Sequence, residues 1–111
     1  MKKIFNIIFT ASILTCFNSA NAGISSGKVT SVFMHTPDVV MFAAGPMSNP
    51  AGCVSSVQQW AIKLSDPAGK GFLAILLSAQ AQGKSVYVQG YTNTCRDWPD
   101  RELPSYIVIL D

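Results

Sequence analysis

Residues 66–83 read DPAGKGFLAILLSAQAQG. Asp66 followed by Pro67 offers a carboxylate able to cap a helix and a proline suited to its first turn. Gly83 offers the residue best able to close the helix in the left-handed conformation. Between them Phe72, Ile75, Leu76 and Ala79 recur at helical spacing, and Leu73 and Leu77 widen that face. No charge falls within residues 71–83, so the helix is expected to be buried, with strands covering it on most sides. A bilayer span needs about 20 apolar residues, so this helix is not expected to cross a membrane.

Working outward, the flanks read as strands. The β-branched run over 27–35 predicts a first strand, with Val29, Ser31, Phe33 and His35 on one face. Thr36-Pro37-Asp38 marks a turn, and 39–44 a second strand ended by Gly45-Pro46. Residues 47–52 (MSNPAG) read as a loop broken at Asn49-Pro50. A third strand is expected over 53–64, with Trp60, Ile62 and Leu64 turned to the core under the helix. After the helix, 84–91 alternates cleanly. Val86 and Val88 share one face, and Tyr87, Gln89 and Tyr91 share a polar, aromatic face of the kind that meets water or a partner. Residues 92–104 read as a loop and 105–110 as a last strand. Apolar on both faces, that strand is expected to be central or to lie in an interface. Three strands, one helix and two strands predict an α+β, mostly β fold: an OB-like, five-stranded, partly open barrel with its helix between strands 3 and 4.

The chain opens with Met1-Lys2-Lys3, continues apolar over 4–17 and reaches Ser19-Ala20-Asn21-Ala22. That is the order of a cleavable secretory leader over residues 1–22, cut after Ala22. A lipoprotein leader ending at Cys16 fits less well, because Thr15 is bulky and Leu14 stands one place late. The expected mature chain, residues 23–111, is one small domain. Loss of Lys2 and Lys3 takes the net charge of +2 to zero. No basic excess remains for nucleic acid or for an anionic membrane surface.

Two cysteines stay in the mature chain, Cys53 and Cys95. In an exported protein they are expected to form a disulfide. His35 is the only histidine and no C-x-x-C occurs, so neither a zinc site nor a catalytic thiol is expected. Ser26 or Ser31 with His35 and Asp38 could compose a triad, but no G-x-S-x-G elbow accompanies them. No catalytic residue, metal or cofactor is assigned. The chain is expected to be a binding protein rather than an enzyme.

Two groups of residues are candidates for binding. One is the strand face of Tyr87, Gln89 and Tyr91. The other is the loop Cys95-Arg96-Asp97-Trp98, where an aromatic ring stands beside a cation and a carboxylate. A sugar asks for that combination: an apolar face for its ring and paired polar groups for its hydroxyls. Trp98 has a structural alternative, folding back to close the end of the barrel. The charges at Arg96, Asp97, Asp100, Arg101 and Glu102 alternate in sign and read as a solvated loop with local ion pairs.

With those residues in view, the mature chain resembles small exported OB-fold proteins related to the B subunits of AB5-type toxins, the subtilase-cytotoxin and pertussis-like group. The resemblance rests on leader, size and element order, and on the strand start at Gly52-Cys53-Val54. It also rests on the helix before Gly83-Lys84-Ser85-Val86 and the second cysteine after the following strand. It implies a pentameric ring, binding of cell-surface glycans, often sialylated, and an associated toxin A subunit. It supplies no site residues. The alternative expectation is a monomeric periplasmic protein that binds another protein or a small ligand through the barrel face.

Overall fold

The computed structural model describes residues 21–111. The expected leader, with Cys16 inside it, lies outside the described residues except for Asn21 and Ala22. The chain runs β1 (Ile24–Met34), β2 (Val39–Ala44), β3 (Met47–Ser48), β4 (Trp60–Lys63), α1 (Gly69–Gln82), β5 (Ser85–Gly90) and β6 (Pro104–Ile109). The fold is mostly β with one helix. Its single antiparallel sheet has the order β4-β2-β1-β5-β6, with the two-residue β3 paired to β1. The sheet does not close. One isolated parallel bridge, Trp60 with Glu102, links β4 to the residues just before β6, and the Ala61 N–H donates to the Glu102 carbonyl at 3.1 Å.

β1 is long because it serves two long partners, β5 and β2, besides the short β3. Its first half pairs with β5 and its second half with β2, and the register shifts between Val29 and Ser31 where the strand turns from one to the other. That bulge breaks the simple alternation expected for residues 27–35, and Phe33 ends up exposed. β2 has the expected bounds and is buried along most of its length. Val40 and Phe42 face the main core, while Val39 and Met41 join Ala61 in a second cluster on the opposite face. Trp60 and Ile62 lie in the main core with Leu64 packed against it, as their alternation predicted.

Five expectations about the fold need correction. The third strand is much shorter than residues 53–64: only Trp60–Lys63 pairs with β2, and residues 53–59 are irregular, tied down by the disulfide at Cys53. Part of the loop expected over 47–52 is instead the short strand β3. Asp66 does not cap α1: Ala68 is the N-cap and makes no side-chain hydrogen bond. The helix is also not covered on most sides. Gly69, Leu76 and Ala79 are buried, Phe72, Leu73 and Ile75 are half-buried, and Leu77 is exposed. One sheet covers one face of a helix. The far face holds Ala74, Ser78 and Ala81, small residues whose exposure costs little. The helix does end at Gly83 in the left-handed conformation, φ 64°.

The last strand is likewise not central. β6 is the end strand of the sheet, bonded to β5 alone along its length. Val108, Tyr106 and Leu110 are exposed. The disulfide is present: Cys53 and Cys95 are bonded, with Cα atoms 6.2 Å apart.

Candidate functional site

A cleft of about 240 Å³ opens where the start of α1 meets the end of β5. Pro67, Ala68 and Gly69 form one wall and Tyr91 and Arg96 another, with Ile62, Lys63 and Ser105 also lining it. The sheet and the bridged loop together make this juxtaposition. Tyr91 is the first residue after β5, and Cys95, held by the disulfide, fixes Arg96 a few residues further on. The Asp66-Pro67 turn sets the opposite wall.

Arg96 pairs with Asp66 across the mouth of the cleft and donates from Nε to Asp97 Oδ1 at 3.0 Å. The hydrogen bond to Asp97, and then the charges of Asp97 and Asp66, raise the guanidinium pKa above its ordinary value. It therefore stays charged and doubly compensated. Asp97 is buried, and its other oxygen, Oδ2, has no hydrogen-bond partner among the described residues. Tyr91 lines the cleft and is 52% exposed, so it is not packed away.

The candidates from sequence therefore separate into three places. Tyr91 and Arg96 share the cleft, with Asp97 behind the arginine. Tyr87 and Gln89 lie on the outer face of β5, where the Tyr87 hydroxyl donates to Gln89 Oε1 at 3.1 Å. The Tyr87 ring stacks with Tyr106 of β6 at 6.1 Å between centroids. Burial, then the neighbouring Tyr106, raises the Tyr87 pKa. Trp98 belongs to neither group. It folds back onto the outer face of β2 and β4, against Val39, Met41 and Ala61, with its ring 4.1 Å from that of His35. That is packing on the outside of the sheet, not closure of the barrel end.

The charged run before β6 is a solvated loop only in part: the Arg96 and Asp100 side chains reach water, but two of its carboxylates do not. Asp97 is buried, and Glu102 is fully buried with its carboxylate on backbone N–H groups. The expected local ion pairs do form, Arg96 with Asp97 at 3.0 Å and Arg101 with Asp100 at 2.6 Å. Sequence reasoning also missed Asp66 and Lys63 as cleft residues. The Asp66-Pro67 signal was visible, but it read as a helix cap. Among the described residues no three His, Cys, Asp or Glu side chains gather as metal ligands, and no helix is long and apolar enough to cross a membrane. No protein family, curated protein or solved structure matches the chain.

Proposed function

We propose that this is an exported, non-enzymatic glycan-binding module of the toxin B-subunit kind, and that the cleft between Tyr91, Arg96 and the start of α1 seats one sugar ring. The carrying observation is that an exposed tyrosine and a fixed arginine–aspartate pair line one small concavity. Tyrosine offers a flat apolar face, and the pair offers a donor and an acceptor side by side for neighbouring hydroxyls. The volume lies below the roughly 300–1,000 Å³ of pockets that hold drug-sized ligands, which suits a single ring. Lys63 and Arg96 are balanced by Asp66 and Asp97, so the chemistry favours hydroxyls over a carboxylate.

An OB-like barrel is the fold reading that goes with this function. Its support is the position of the helix between β4 and β5, the strand order, and the single parallel bridge that brings the two ends of the sheet together. One sugar ring gives weak binding, and a ring of subunits would multiply it. The proposed subunit contact is a second copy of this chain against β6. That end strand exposes Tyr106, Val108 and Leu110 on a chain whose mature charge is zero.

A glycan array probed with the mature protein tests the reading. Retention on a defined set of saccharides is expected, with at least about tenfold weaker binding for Tyr91→Ala, equivalent to about 1.4 kcal/mol. Absence of retention, or full retention by Tyr91→Ala, contradicts it. Sedimentation decides the assembly: an oligomer converted to monomer by Val108→Asp is expected, and a wild-type monomer at micromolar concentration contradicts the ring.

A further inference from the structure

Glu102 is an acidic side chain with no exposed surface. Its Oε1 accepts a hydrogen bond from the backbone nitrogen of Gly23 at 2.6 Å, and its Oε2 one from the backbone nitrogen of Ala51 at 3.0 Å. Among the described residues no lysine, arginine or histidine forms an ion pair with it. A buried carboxylate without a counter-charge is costly, and two neutral amide donors compensate it only in part. The nitrogen held closest is that of the residue after Ala20-Asn21-Ala22, the small-residue cleavage pattern.

We propose that Glu102 is the receptor for the α-ammonium of the processed chain, so that removal of the leader supplies the missing positive charge. The inference rests on reading residues 1–22 as a leader. A leader peptidase hydrolyses the Ala22–Gly23 amide. Water's hydroxyl goes to the Ala22 carbonyl carbon, the C–N bond breaks, and the Gly23 nitrogen gains a hydrogen and then a proton from solvent. The resulting ammonium stands where the amide N–H already meets Oε1.

The surroundings are shaped for this contact. A Cβ on Gly23 would collide with Glu102 Oε2, and one on Gly90 with Oε1, so glycine at both positions lets main chain and carboxylate meet. The carbonyl of Gly23 accepts the Gly90 N–H at 2.8 Å, which seats the terminus in register with β5. Gly23 is buried, so the bond is cut before the chain folds around it. The backbone of Glu102 carries the parallel bridge to Trp60. Capture of the terminus therefore fixes the bridge that links the two ends of the sheet, and makes processing a condition for full stability.

The test uses two chains, one beginning at Gly23 and one keeping Asn21-Ala22. Each is released from a fusion by a protease that leaves no extra residue, and each is prepared with Glu102 and with Glu102→Gln. The extended chain is expected to melt several degrees below the chain beginning at Gly23, and Glu102→Gln to abolish that difference. Equal melting of the two Glu102 chains, or a difference that survives Glu102→Gln, overturns the proposal. Should Glu102→Gln fail to fold, the wild-type pair still decides through NMR titration of the Gly23 amine. Its pKa is expected well above the usual value of about 7.7–8.0, and an ordinary titration overturns the ion pair. Intact mass of the naturally exported protein reads the leader separately. A chain beginning at Gly23 supports the receptor role, and any other first residue removes it from the natural protein whatever the titration shows.

Discussion

The indole nitrogen of Trp60 donates a hydrogen bond to the hydroxyl of Ser25 at 2.9 Å, with both side chains fully buried. This bond joins β4 to β1, two strands that do not pair in the sheet. Ser25→Ala would leave the indole N–H without an acceptor, at a typical cost of about 1–3 kcal/mol. Urea denaturation reads it. Unchanged stability would mean that the indole is satisfied elsewhere.

Leu76 is at the centre of the buried face of α1 and has no exposed surface, whereas Leu77 is 48% exposed. Leu76→Ala is expected to cost about 2–5 kcal/mol through lost burial and a residual cavity, and Leu77→Ala far less. Similar midpoints for the two variants in denaturant would mean that the helix packs by a different face.

The Cys53–Cys95 disulfide closes a loop with a sequence separation of 42. Chain entropy alone gives about 4 kcal/mol for its removal, a large share of the roughly 5–15 kcal/mol that holds a domain together. The double alanine variant is expected to unfold at far lower denaturant. It is also expected to lose binding at the cleft, because Cys95 fixes Arg96. A double variant as stable as wild type would contradict this.

Asp38 accepts hydrogen bonds from the Ser65 hydroxyl at 2.6 Å and the Ser65 backbone N–H at 2.8 Å. The hydroxyl first, then the backbone N–H and the charge of Lys63, hold its pKa below the ordinary 3.8. A carboxyl with a lowered folded-state pKa stabilises the fold above its unfolded value, and the contribution fades as pH falls through the folded value. Ser65→Ala is therefore expected to raise the Asp38 pKa toward the ordinary value and to flatten the loss of stability below about pH 4. Carboxyl NMR titration reads this directly, and an unmoved Asp38 would contradict it.

Local signals carried much of the fold. The helical spacing around Leu76, the glycine at 83, the alternation of Val86 and Val88 against Tyr87 and Gln89, and the two cysteines all describe what forms, because each depends on near neighbours or on a single pairing. The third strand was overextended because residues 53–59 alternate weakly, while the disulfide and the loop before β6 decide their path. Leu77 faces water although its sequence context is apolar, because one sheet can cover only one side of a helix. The site was half legible. Tyr91 and Arg96 stood out by residue type, but Asp66 and Lys63 join them only through the turn before α1. Glu102 was hidden in a run of alternating charge, and nothing local distinguishes a buried carboxylate there from a solvated one.

Chemical-shift mapping of the mature protein with neutral monosaccharides tests the binding cleft most directly. The account predicts saturable shifts in the backbone amides of Gly69, Tyr91 and Arg96, lost in Tyr91→Ala, with Tyr106 and Val108 unmoved. No saturable shifts, or shifts confined to the outer face of β5 and β6, would contradict it.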